Sequence, residues 1–308
     1  NDVISELFET SDVDLLFRLP SDRTQSVADT SLSVQRVFSS TTDSSGQMQI
    51  NLTAPGETFT RTADWIAFRT DSGPEITLPS TPTGSGTTAS TIQTGQSSTA
   101  MRILGFVNKS QAAAKAKTIA TRTTTGTPAV ESDGSGNVIT ALRLGVNDII
   151  RFTSINADSA NGRNIEHFFD LDNGQRDAFY DEGKIILKTG FTNPGTVVVV
   201  AEHYNATTSG DFFSVNSYNT TAYSKIPTFS SKTGEVIQLR DVLDFRPYKD
   251  ANGNFTGGGA RIMEIPKNTD TIISDNTYFL PRNDKIVVNE TAEIKVIQGS
   301  SSLTPRFP

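Results

Sequence analysis

Acidic residues crowd one short stretch of the chain: Asp170, Asp172, Asp177, Asp181 and Glu182 all fall within residues 170–182. Two carboxylates flanking a glycosidic bond can act as general acid and base, and clustered ones can hold a hard cation such as calcium. Neither pattern is met in regular form. A calcium loop begun at Asp170 puts Gly174 at the fifth position and Gln175 where the turn glycine belongs. One begun at Asp250 puts Phe255 at the glycine position and Arg261 where a bidentate glutamate is needed. The plainer expectation is a polar turn about Asn173-Gly174, followed by a helical turn that holds Arg176 and Asp177.

Other chemical equipment is sparse. The two histidines, His167 and His203, cannot make a three-histidine zinc site, and neither lies beside a Gly-x-Ser-x-Gly elbow. Gly134-Ser135-Gly136 reads as a turn. The absence of cysteine removes thiol nucleophiles, thiolate metal sites and disulfides. Gly257-Gly258-Gly259 is followed by Ala260, Arg261 and Ile262, a strand pattern and not a phosphate-cradling helix. The sequence therefore predicts no catalytic residue, no metal site and no cofactor. A net charge of −7 and a pI near 5.0 disfavour nucleic acid as a partner. No apolar run approaches the 18 residues of a membrane span; the longest, residues 197–201, suits one buried strand. Six Asn-x-Ser/Thr sequons, at Asn51, Asn108, Asn205, Asn219, Asn254 and Asn289, are expected by chance in so Ser/Thr-rich a chain.

The elements that must position these groups follow from composition and periodicity. With 31 serines, 41 threonines, 23 glycines and 13 prolines among 308 residues, the chain favours strands and turns over helix interiors. The expected fold is mainly β: several small antiparallel sheets or sandwiches joined by long polar loops, with few short helices. The chain divides into an N-terminal β region (1–79), a low-complexity loop or linker (80–100), a β-hairpin region (101–155), a motif-bearing β domain (156–250) and C-terminal hairpins with an extended tail (251–308). In 80–100 only Ile92 is large and apolar, so the tract is expected to be exposed.

Period-2 alternation predicts strands over 32–38, 48–52 and 64–68, the last placing Trp65 as a half-buried anchor, and another over 101–107. Residues 1–9 suggest a helical turn. Residues 111–117 have helix formers for about two turns, with Lys109, Lys115 and Lys117 on a solvated face. A hairpin is expected about the turn 132–137, with the strand pattern continuing over 146–153. Another hairpin should join 184–188 to 196–204 through Asn193-Pro194-Gly195. Short strands follow over 212–215 and 236–239. Asn252-Gly253 marks a tight turn, and a last hairpin pairs 277–289 with 293–298. The ends, Asn1-Asp2-Val3 and Thr304 to Pro308, suggest a segment of a longer protein.

Five blocks carry a resemblance: 169–181 (FDLDNGQRDAFYD), 210–218 (GDFFSVNSY), 239–247 (LRDVLDFRP), 278–286 (YFLPRNDKI) and 294–299 (IKVIQG). In that order they resemble virion structural proteins of contractile-tailed, cyanophage-like bacteriophages, from the tail, baseplate or fibre region. The resemblance covers about residues 163–308. It implies a non-enzymatic structural subunit of the virion tail, assembled in the host cytoplasm, whose partners are other tail proteins and copies of itself, with no nucleic acid and no membrane. The residues themselves suggest a structural or interaction role for Gln175, Arg176, Asp177, Tyr180, Asp211, Tyr218, Asp244 and Arg246. Arg176 and Arg246 are expected to pair with Asp211, Asp241 or Asp244, because guanidinium presents a planar fork that matches carboxylate. Two alternatives stand beside this reading. One is a receptor- or carbohydrate-binding module of a fibre, with Trp65, or Tyr218 and Tyr223, stacking on a sugar. The other is a carbohydrate-active hydrolase using the 170–182 carboxylates.

Overall fold

The alternation seen over residues 32–38 belongs to a much longer strand, Thr24–Thr41, which organises the first half of the protein. The computed structural model describes residues 15–71, 73–133, 136–207, 209–250, 252–256, 264–267 and 270–308. Along 30–41 this strand pairs with Ala100–Ala112; along 24–31 it pairs with Ile273–Tyr278, and at 34–36 with Glu264–Pro266. Ala100–Ala112 receives Glu57–Thr60 and Ile66–Arg69 on its other edge, and Glu75–Ile76 extends the latter. The result is a seven-stranded antiparallel sheet. Because strand side chains alternate, Leu32 and Val34 share one face, as do Met101, Ile103 and Val107, and all five are buried. Trp65 is fully inside rather than half-buried, its ring against Phe59 (centroids 5.2 Å apart) and its Nε1 donating to the Thr60 carbonyl at 3.0 Å. It lies over Gly105, where a Cβ would come within 3.0 Å of the indole.

The 80–100 tract departs from the exposed loop expected. Ala89–Gln93 is a strand paired with Gln47–Asn51, and Ser90, Ile92 and Thr94 are buried. Threonine-rich segments make good strands when one large side chain can anchor them, and Ile92 does so. The helix expected over 111–117 is also replaced. One strand runs to Ala112, Ala114 bridges to Phe212, and the next strand starts at Lys117. Seven residues of helix former cannot offset nucleation against strand neighbours already in place. Lys109, Lys115 and Lys117 are buried, the reverse of a solvated face.

A second core lies between two further antiparallel sheets. One has the order Ile149–Ala157, Val197–Ala206, Lys117–Gly126; the other has Ala129–Ser132, Val138–Asn147, Glu182–Leu187, Phe169–Asp172. Leu144, Ile155, Ile165, Ile185, Val197 and Val199 fill the space between. The expected hairpin between 184–188 and 196–204 is not formed, since these strands belong to different sheets. Each is a middle strand that needs two neighbours, and a hairpin would supply one.

Ala129–Ser132 pairs with Val138–Asn147, and Tyr248–Lys249 with Phe255–Thr256, as the turn sequences between them predict, and the last hairpin pairs Lys285–Val288 with Ile294–Ile297. Mainly β architecture with several small antiparallel sheets is thus what the chain forms. Among the described residues the longest helical element is the 3-10 turn Val215–Tyr218. Residues 1–9, Ser135 and residues 257–262 lie outside the described residues.

Candidate functional site

Strand ends of the two smaller sheets, the short strand Val242–Asp244 and the irregular segments 173–181 and 211–218 converge on a polar cluster sealed among aromatic rings. Lys117 opens its strand with its side chain inward. Asp148 lies between two strands at φ 53°, a left-handed conformation that aspartate tolerates better than most residues. The Lys117 ammonium donates to Asp148 Oδ2 at 2.6 Å, to the Tyr180 hydroxyl at 3.2 Å and to the Tyr218 hydroxyl at 3.3 Å. Three donors thus meet three acceptors. The same nitrogen sits 4.1 Å from the Phe213 ring centroid and 4.6 Å from that of Tyr180, so ring quadrupoles add to the stabilisation of the cation. Gln175 Nε2 donates to the other Asp148 oxygen at 3.1 Å.

Tyr180 links this pair to a second. Its hydroxyl donates to Asp244 Oδ2 at 2.5 Å and accepts from Arg246 Nη2 at 2.9 Å. Arg246 grips Asp244 through Nε (3.0 Å) and Nη2 (2.8 Å), and its Nη1 donates to the Arg176 carbonyl at 2.8 Å. The guanidinium lies between the Tyr180 and Phe229 rings, 4.3 and 4.5 Å from their centroids. Lys117, Asp148, Tyr180, Tyr218, Asp244 and Arg246 are all at most 2 % exposed. Burial pushes the phenols of Tyr180, Tyr218 and Tyr248 well above the ordinary tyrosine value. Burial also opposes charge on Asp244, but the attraction and hydrogen bonds of Arg246 prevail and hold its carboxyl below the ordinary aspartate value. Two cations and two carboxylates therefore balance in a site shielded from solvent. Each group is spent on another, and the arrangement fastens the segments at 117, 148, 175–180, 213–218 and 242–248 to one another.

Of the carboxylates of 170–182, Asp172 and Asp177 line a cavity of about 280 Å³ together with Arg176 and Lys184, and each carboxylate of the stretch already has a partner. Asp172 takes a two-point grip from Arg176 at 2.8 and 2.7 Å, and Asp181 lies 3.4 Å from the same guanidinium. Asp170 lies 3.4 Å from Lys188, Asp177 accepts from the Lys232 backbone, and Glu182 Oε1 accepts from the Gly145 N–H at 2.5 Å. Burial raises Glu182 above the ordinary glutamate value, against the pull of that N–H and of Arg143. The helical turn expected at Arg176 is instead a tight reversal, with Gln175 bridging to Tyr180.

Of the residues singled out from sequence, Gln175, Tyr180, Tyr218, Asp244 and Arg246 meet in the cluster. Arg246 takes Asp244 as expected; Arg176 takes Asp172 and Asp181, not Asp211, Asp241 or Asp244, because the 172–181 reversal brings them to it first. Asp211 accepts from Lys109 and from the Ala113 N–H, and Asp241 accepts from the Thr24 N–H at 2.8 Å. Sequence reasoning missed Lys117 and Asp148, and also a second charged group: Arg36 with Glu57 and Glu264 (both 2.5 Å), and Lys109 with Glu264 (2.6 Å) and Asp211. One signal was present. Lys109 continues the inward register of Met101, Ile103 and Val107, and a charge in an inward phase announces a buried partner.

Trp65 and Tyr218 are too buried to stack on a sugar, and Tyr223 packs against Phe279. Other features face solvent. A groove of about 580 Å³ is lined by Asp158, Arg163, Phe168 and Asn193, among others, with the Phe191 ring tilted against that of Phe168, centroids 4.5 Å apart. The hairpin 285–297 exposes apolar side chains, including Ile286 and Ile294. No helix among the described residues is long and apolar enough to cross a membrane. The sequence matches no protein-family model, and it matches neither a curated protein nor a solved structure.

Proposed function

We propose that this protein is a non-enzymatic structural subunit of a contractile-tailed bacteriophage virion, placed in the tail, baseplate or fibre region and acting through protein–protein contacts. The observation that carries this reading is where the apolar surface lies. Among the described residues, eleven of the sixteen exposed large apolar residues fall between Ile273 and Phe307, whereas the last buried apolar core residue is Ile265. Such a concentration marks an interaction surface. The resemblance adds the setting. Its blocks at 169–181, 210–218 and 239–247 supply most of the buried cluster, so they serve the fold, and the blocks at 278–286 and 294–299 fall in the exposed C-terminal part. The candidate acid–base residues are engaged by cations and backbone N–H groups, which also favours assembly over hydrolysis.

The direct test is mass spectrometry and immunogold labelling of purified particles, with the full 308-residue chain as the antigen. The reading expects the protein in intact particles at the tail. Presence in infected-cell lysate with absence from particles would refute it. Activity is tested separately on polysaccharides, peptidoglycan and esters; turnover abolished by Asp172→Asn or Asp181→Asn would establish a hydrolase. The groove beside Phe168 and Phe191 favours a second reading, a glycan contact, because aromatic faces beside polar groups suit sugars. Host-surface polysaccharide binding lost in Phe168→Ala would establish it.

A further inference from the structure

The hairpin Lys285–Val288/Ile294–Ile297 has two unlike faces. Paired strand residues point the same way, and so do residues two apart. The register Ile286↔Val296 and Val288↔Ile294 therefore puts four β-branched side chains in a two-by-two array on one face. Lys285, Val287, Lys295 and Ile297 make up the other. The array is exposed throughout: Ile286 71 %, Val288 66 %, Ile294 73 % and Val296 57 %. Both strands pair only with each other among the described residues. A lone two-stranded hairpin is marginal in water and needs a further layer on its apolar face.

We infer that the Ile286/Val288/Ile294/Val296 face is covered by the same face of a second copy of this chain, which deepens the assembly reading and rests on it. Three observations favour a second copy over a different partner. A two-by-two array of like side chains is its own complement across a twofold axis, the symmetry of an isologous contact. Covering it and the backbone beneath removes on the order of 500 Å² per copy, so roughly 1,000 Å² for the pair, the size at which a specific interface begins. Charge permits the approach as well. Residues 279–308 carry Arg282, Lys285, Lys295 and Arg306 against Asp284, Glu290 and Glu293, while the whole chain is at −7. Two bodies of like charge repel, and this near-neutral arm is where two copies can meet with least repulsion.

The test is sedimentation equilibrium of the full chain over a hundredfold concentration range, beside Ile286→Lys/Ile294→Lys and a control on the opposite face, Lys295→Gln. The wild type and Lys295→Gln should pass from one chain's mass to two as concentration rises. The double variant should stay at one chain's mass with an unchanged melting temperature, which shows that it is folded. A wild type that keeps one chain's mass throughout, or a double variant that associates like the wild type, overturns the inference. Particle composition is read independently. A single-chain wild type that is still found in particles would sink the second copy and leave the assembly reading standing; a pair-forming chain absent from particles would do the reverse.

Discussion

Around Lys117 and Arg246, charged side chains are sealed among aromatic rings; along Ile286 and Ile294, apolar side chains stand in water. Each region inverts the ordinary distribution of residues. The inversions have different consequences. In the cluster every charge meets an opposite charge, a hydroxyl or a ring, and five separate segments are tied together. The hairpin contributes no residue to the buried core. A region whose groups are all engaged within the chain serves the fold, and one whose apolar groups lack partners is available to another molecule.

The largest expected effect lies in the cluster. Arg246→Ala strands the buried Asp244 without its partner, and breaking a buried pair typically costs about 3–5 kcal/mol. Arg246→Lys should recover little, because an ammonium cannot reproduce the fork to Asp244 together with the bonds to Tyr180 and the Arg176 carbonyl. Urea unfolding of both variants checks this. A loss under about 0.5 kcal/mol for both would place the cluster outside the fold's stability.

Next comes the tract 80–100. Ile92→Ala should cost about 2–5 kcal/mol, the range for truncating a buried aliphatic side chain. Deleting 80–100 should lower the melting temperature by many degrees, since Ala89–Gln93 is the sole strand partner of Gln47–Asn51 among the described residues. An unchanged melting temperature after the deletion would contradict the packing of Ile92.

A smaller effect appears with acid. Asp244 is depressed below the ordinary aspartate value, so its contribution is complete above that value and is lost as pH falls through its lower folded-state value. Glu182 runs the other way. Its raised folded-state value gives a contribution present in acid and lost as pH rises from the ordinary glutamate value through the folded one. Glu182→Gln should therefore flatten the stability profile above the ordinary glutamate range, and Asp244→Asn should flatten it below the aspartate range, although the latter also weakens the Arg246 pair. Unfolding titrations across acid pH separate the two; a Glu182→Gln profile parallel to the wild type would remove Glu182 from the account.

The smallest effect belongs to the hairpin. Val288→Thr should change the stability of the single chain by no more than about 0.5 kcal/mol, the range for exposed sites. Differential unfolding at low protein concentration reads this, and a cost of several times that size would mean the face packs on its own body.

The sequence disclosed these two regions unevenly. The mainly β fold was legible in the Ser/Thr/Gly composition and in period-2 runs such as 32–38. The strand pairings that flank 250–254 and 290–292 were equally plain from their turn residues. Long-range pairing was not. Residues 184–187 and Val197–Ala206 look like neighbours across Asn193-Pro194-Gly195, and only the demand of each middle strand for two partners separates them. Lys117 was obscured by its neighbours, because a helix-forming alanine run in 111–117 suggests a solvated helix face. Asp148 carried no signal, since its role depends on a strand end that meets Lys117 only after both sheets form. Arg246 was legible because its partner Asp244 is two residues away.

Hydrogen exchange followed by mass spectrometry at two protein concentrations compares both regions in one sample. Amides in 197–206 and 242–245 should exchange slowly and equally at both concentrations, as expected where opening requires global unfolding. Amides of 285–297 should exchange fast at the low concentration and become protected at the high one. Hairpin amides as protected as the core at the low concentration, or cluster strands exchanging at the hairpin's rate, would contradict the division between a region that holds the fold and a region left for assembly.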